Sequence, residues 1–179
     1  MKELLLAAIL TAIMAMAGTA IAEDAAEAPY FVIEAQTIGM DIVGLVPDGL
    51  RVVTHARGAV TDGLFVGSTV TGTDYLVFRH DGVGVIDARW LVEDPSGVAV
   101  AIAFQGFIGE PMPGLLEAML DPEAEPLDVD IPVHGAAWFQ TMAPQYASLN
   151  YTVFAFTGAV NIAEGGLQVT FRSLAPWWH

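Results

Sequence analysis

From Tyr30 onward the chain is a succession of short runs rich in Val, Ile, Thr, Phe and Tyr, with apolar residues recurring at a period near two and turn signals between the runs. That period belongs to strands, whose successive side chains point to opposite faces, and argues against helices. The clearest instance is "GTDYLVFRHDGVGVIDARW", residues 72–90, where Asp81-Gly82 stands at a two-residue turn between two alternating arms. Asp-Gly is favoured there because glycine tolerates the positive φ of a tight hairpin. Asp94-Pro95-Ser96-Gly97 and Glu164-Gly165-Gly166 are breakers of the same kind. The pattern predicts strands near 30–38, 50–57, 64–71, 74–80, 83–93, 98–107, 130–140, 150–161 and 166–173. Short connections make successive strands antiparallel neighbours. Eight or nine of them predict an all-β fold, a single antiparallel meander barrel, because closure removes exposed edges and leaves an interior for side chains or one small ligand.

Residues 108–129, "IGEPMPGLLEAMLDPEAEPLDV", depart from this pattern. Leu115, Leu116 and Met119 share one helical stripe between prolines, so the spacing predicts one long loop carrying a short helix. Long insertions in compact domains serve as lids or run over the surface.

The first 22 residues read as a secretory signal: Lys2, an apolar run from Leu4 to Ala17, and the small-x-small site Ala20-Ile21-Ala22. Cleavage is expected before Glu23, leaving an acidic leader over 23–29 and a barrel domain over 30–179. An uncleaved anchor would need about 20 apolar residues. This run breaks at Gly18-Thr19. The expected location is therefore periplasmic or extracellular.

The formal net charge is −15, and removal of Lys2 and Glu3 leaves it unchanged. The mature chain then has no lysine, which excludes a Schiff-base or lysine-base mechanism. So acidic a chain is not expected to bind nucleic acid, whose recognition rests on cations that neutralise phosphates. There is no cysteine, so the fold stands on packing without disulfides, and thiol catalysis and thiolate metal sites are excluded.

Polar residues inside the strands are the candidate site. Asp74 and Arg79 are five apart and fall on opposite faces of a flat strand; only a bulge or bend brings them together. Asp87 and Arg89 share a face opposite Ile86, Ala88 and Trp90, and alternation puts the charged pair outside where the interior is apolar. His55, His80, His134 and His179 lack the spacing of a metal site, and none is expected. No G-x-S-x-G, G-x-G-x-x-G or P-loop occurs, so no cofactor is expected. In "APQYASLN", Tyr146 and Asn150 offer groups suited to a ligand carbonyl or hydroxyl; equally, they can tie a loop to the barrel rim. Trp90, Trp138, Phe154 and Phe156 read as core.

The order of "VGLVPDGLR" at 43–51, the 72–90 hairpin, "DPSG" at 94–97 and "WFQTMAPQYASLNYTVFAFTG" at 138–158 resembles the family catalogued as domain of unknown function 3237. The likeness runs from Pro29 to Ser173 and implies a single antiparallel β-barrel with polar positions at Asp74, Arg79, Asp81, Tyr146 and Asn150. The chain departs from that pattern at Arg57-Gly58 and Gly72-Thr73, where double glycines are expected, and at Ser148, where an aromatic residue is usual.

These readings predict an exported barrel that binds a small, largely apolar molecule bearing a carbonyl or carboxylate. Arg79, Tyr146 and Asn150 would be its ligand-binding residues, converging on one end of the cavity. The enzymatic alternative is a cofactor-independent lyase, isomerase or hydrolase with Asp74 or Asp81 as base and Arg79 stabilising an anion. An outer-membrane barrel is the third reading, supported by the export signal, the strand count and Phe171, Trp177 and Trp178. Against it, membrane strands need about nine to eleven residues with an apolar outer band. Stable membrane insertion is therefore not expected.

Overall fold

The computed structural model describes residues 30–112, 114–121, 123–125 and 128–174. The expected signal and leader, and the terminal Trp177, Trp178 and His179, lie outside these residues. Eight strands form one closed barrel in which every neighbour is antiparallel. They are β1 (Tyr30–Val46), β2 (Gly49–Gly63), β3 (Thr69–Phe78), β4 (Gly84–Glu93), β5 (Ala99–Ile108), β6 (Asp130–Gln140), β7 (Val153–Asn161) and β8 (Gly166–Ser173). A short helix α1 (Leu115–Leu120) sits in the β5–β6 connection, and a 3-10 helix (Pro144–Tyr151) precedes β7.

The meander barrel is the one expected, with corrections of detail: the β3–β4 turn spans three residues, 80–82, where two were expected; β2 runs six residues past its expected end at 57; and residues 150–151, expected as strand, belong to the 3-10 helix. The run 64–71 and the arm 74–80 are not two strands: residues 64–67 turn, and β3 passes straight through Gly72. β1 runs eight residues past its expected end, held in strand form by β2 with bulges near Ile33, Ile38 and Val43.

Alternation sorts the side chains. Along β4, Gly84, Ile86, Ala88, Trp90 and Val92 are buried, and the residues between them are more exposed. In β2 to β4 the outer wall carries Arg51, His55, Arg57, Asp87 and Arg89, while the inner wall is apolar except for Thr54 and Asp74.

Each hairpin reverses the chain, so the connections alternate between two ends. The turns after β2 and β4 and the 3-10 helix after β6 share one end; the turns after β1, β3 and β7 and the α1 insertion share the other. The first end is plugged by rings. Phe31 stacks on Phe171 at 4.6 Å, Phe139 meets Phe154 edge-on at 4.7 Å, and Phe65 closes against Phe31 at 5.3 Å. Such pairs stabilise by about 0.5–1.5 kcal/mol each beyond their area burial. The other half of the lumen is not filled.

Candidate functional site

The unfilled half holds a cavity of about 110 Å³ walled by Val52, Leu76, Phe78, Ile86, Phe104 and Phe156. The expected helix does form, and it packs Leu115 and Leu116 into the core while its Met119 lines the cavity. Among the described residues, Asp74 is the one charged side chain on the cavity wall.

The register explains how Asp74 comes to face inward. Val70, Leu76 and Phe78 on the same strand are buried, and Asp74 shares their parity. Two donors on neighbouring strands hold it: Trp90 Nε1 to Oδ1 at 2.5 Å and Thr54 Oγ1 to Oδ2 at 3.2 Å. Trp90 reaches it because Gly72, its cross-strand partner, has no side chain. A Cβ at position 72 would fall 2.1 Å from the indole ring. Phe104 braces the indole from the other side, with ring centroids 5.3 Å apart.

Burial raises the Asp74 pKa, because the carboxylate loses its hydration among apolar walls. The Trp90 and Thr54 hydrogen bonds and the His55 ring oppose that rise and do not cancel it. A carboxyl so placed can donate a proton in a hydrogen bond or exchange it with a ligand. None of the five arginines lines the cavity.

The other expected site residues lie elsewhere. Arg79 is exposed at the β3–β4 turn and pairs with Asp81, whose other oxygen accepts from Val83 N at 3.2 Å. Together they clasp the hairpin, on the outer wall beside Tyr75 and His80. Tyr146 packs its ring on Phe65 at 5.0 Å, as part of the aromatic plug. Asn150 is exposed and bridges its own loop, its Oδ1 accepting from Thr141 N at 2.9 Å and its Nδ2 donating to Thr141 O at 3.0 Å.

The expected convergence of Arg79, Tyr146 and Asn150 does not occur. Strands β4, β5 and β6 separate the two turns, and an odd number of strands carries the chain to the opposite end. Asp87 and Arg89 pair at 2.5 Å outside the barrel, as alternation predicts. His55 also faces outward, between Thr73 at 3.1 Å and Asp41 at 3.6 Å. Thr54 and Trp90 were not singled out as partners of Asp74. The Asp-Gly turn would not have found Trp90: a two-residue turn sets Asp74 opposite Arg89, whereas the loop spans three residues, 80–82, and shifts the register by one, to Asp74↔Ala88 and Gly72↔Trp90.

The sequence matches the family described as "Protein of unknown function (DUF3237)" over residues 28–173. No curated protein matches it. Among solved structures, a protein of unknown function from Clostridium acetobutylicum superposes with TM-score 0.65 at 21% identity, covering 83% of this chain and 98% of that one. A conserved protein of unknown function from Rhodopseudomonas palustris gives 0.60 at 21%, covering 82% and 96%. An enzyme from Penicillium herquei gives 0.53 at 17%, covering 86% and 99%. At these identities the likeness is one of fold.

Proposed function

The chain belongs to that family of proteins of unknown function, and on this premise we propose that it is an exported barrel binding a small, largely apolar molecule in its lumen, with Asp74 as the polar anchor. The observation that carries the reading is a single half-buried carboxyl, with its two donors, on the wall of a mainly apolar cavity whose other polar lining is Thr37 and Asn161. Of the two ligand groups the sequence suggests, the site favours the carbonyl. A protonated Asp74 donates to a carbonyl oxygen, whereas a ligand carboxylate would meet an acidic group with no guanidinium beside it. Export rests on the secretory signal read over residues 1–22.

A second reading is proton transfer at the carbon next to that carbonyl, with Asp74 as base. Its support is the raised pKa in a cavity, the environment in which carboxyl groups do acid–base work. Asp81 is outside the cavity wall and supports neither reading.

Calorimetric titration with hexanone tests the anchor. Asp74→Leu removes the donor and is expected to weaken binding about tenfold, or about 1.4 kcal/mol, within the range of one hydrogen bond. Asp74→Asn keeps an N–H donor and is expected to retain the affinity. Equal affinity in wild type and Asp74→Leu sinks the anchor. Proton NMR in deuterated water separates the two readings: loss of the α-proton signals with wild type, and not with Asp74→Asn, establishes the transfer.

A further inference from the structure

The cavity opens beside a step in the barrel wall. β8 is zipped to β1 only from Tyr30↔Arg172 to Gln36↔Gly166, and β1 then continues to Val46 with β2 as its one strand neighbour. Directly opposed residues of an antiparallel pair point to the same face. The register Met40↔Thr54, Ile42↔Val52 and Leu45↔Leu50 therefore puts Met40, Ile42 and Leu45 on the lumenal face of this extension.

Their partners on β2 are covered: Thr54 is 7% exposed, Val52 2% and Leu50 1%. Met40, Ile42 and Leu45 are 51%, 61% and 62% exposed. Met40 belongs to both surfaces, since it lines the cavity and begins the exposed row. Asp41, the charge within this stretch, is turned to the outer wall opposite Val53, 3.6 Å from His55. The row is thus an apolar track continuous, through Met40, with a mainly apolar cavity. At about 3.3 Å per strand residue it is on the order of 15 Å long. Exposed apolar surface of this kind marks a contact with protein, membrane or ligand, and its continuity with the cavity selects the ligand.

Resting on the lumenal-binding reading, we infer that the ligand is an amphiphile with one neutral polar head and an unbranched hydrocarbon tail, the head beside Asp74 and the tail leaving the cavity past Met40 along Ile42 and Leu45. The continuity selects a chain over a compact molecule. A cavity of about 110 Å³ takes the head and the first carbons, and the track accepts what the cavity cannot hold. Each further methylene laid on the track leaves water and adds affinity, up to about fourfold where it is fully covered.

The test is calorimetric titration of the full mature chain with straight-chain methyl ketones from hexanone to hexadecanone. Wild type is expected to gain about two- to fourfold per methylene, beyond the length that fills the cavity. Ile42→Asn combined with Leu45→Asn is expected to flatten that gain for the long ketones and leave hexanone unchanged. Both positions are exposed, so the barrel tolerates the change, and a thermal melt verifies it. Val66→Asn, exposed at the opposite end, is the control for general loss of apolar surface and is expected to change nothing. The tail assignment is overturned if affinity stops rising at the short ketones, or if the double variant keeps the full gain. It is likewise overturned if the double variant changes oligomeric state instead, since the row then meets a second copy. Failure of the underlying reading looks different: hexanone binding is then absent, or indifferent to Asp74→Leu.

Discussion

Asp74 and Trp90 show how one backbone decision fixes an ionisable group. Trp90 has a single donor and no acceptor, so its indole N–H gives Asp74 an obligatory role as acceptor, while Gly72 supplies the space in which the ring can lie. The pH dependence follows from burial. In the unfolded chain the carboxyl titrates in the ordinary aspartate range; in the barrel its pKa is raised. The native state therefore binds the proton more tightly, and whatever stability the protonated form contributes is fully present below the unfolded pKa and lost as pH rises through the folded one. Asp74→Asn carries no such titration. Urea unfolding across acidic to neutral pH is expected to show the variant gaining on wild type as pH rises through that window. A constant difference would mean that the Trp90 and Thr54 hydrogen bonds cancel desolvation, and wild type gaining on the variant would mean that they outweigh it.

At the scale of elements, the connection between β6 and β7 is held by Asn150, which closes both backbone groups of Thr141. Its side chain points back to its own loop, at the end of the barrel away from the cavity. Asn150→Ala is expected to lower unfolding free energy by about 1 kcal/mol, the usual worth of an exposed side-chain hydrogen bond or two, and to leave hexanone affinity untouched. A loss of affinity without a loss of stability would return Asn150 to the ligand site. Much of this element structure was legible in the sequence. Alternation in 72–90 placed Asp87 and Arg89 outside and set Asp74 and Arg79 on opposite faces, because a strand has only two faces. The separation of Arg79 from Asn150 was countable too, since three strands lie between their turns whether β3 is read as one strand or two. Gly72 misled the reading for a physical reason. A glycine inside a strand pattern looks like a break, and here it marks the close approach of the Trp90 ring. The extension of β1 was not legible either: "IGMDIVGLV" over 38–46 carries two glycines and two bulges, and its strand form comes from pairing with β2. Thr54 owes its part in the site to that inter-strand register, which no local pattern states.

At the scale of the whole molecule, the polarity of the wall favours a barrel in water over one in an outer membrane. A membrane barrel turns its apolar band outward. Here the rings and aliphatic side chains face the lumen, and the outer wall carries Glu34, Gln36, Arg51, Arg57, Asp87, Arg89 and Gln168 along the strands. A cationic or anionic side chain at mid-bilayer depth on the lipid face costs up to about 2–4 kcal/mol, so several such charges on β2 and β4 together oppose insertion. Among the described residues no helix is long and apolar enough to span either. The net charge of −15 adds mutual repulsion between copies and from anionic lipid, both of which favour a dispersed protein. Together with the leader, this predicts a chain that crosses the inner membrane and is then released. Fractionation of the native host is expected to recover it from periplasm or culture fluid, free of the membrane pellet after carbonate extraction, with Glu23 as its first residue by N-terminal sequencing. Retention in the pellet would contradict the wall's polarity, and a chain beginning at Met1 would remove export while leaving the lumenal site as it stands.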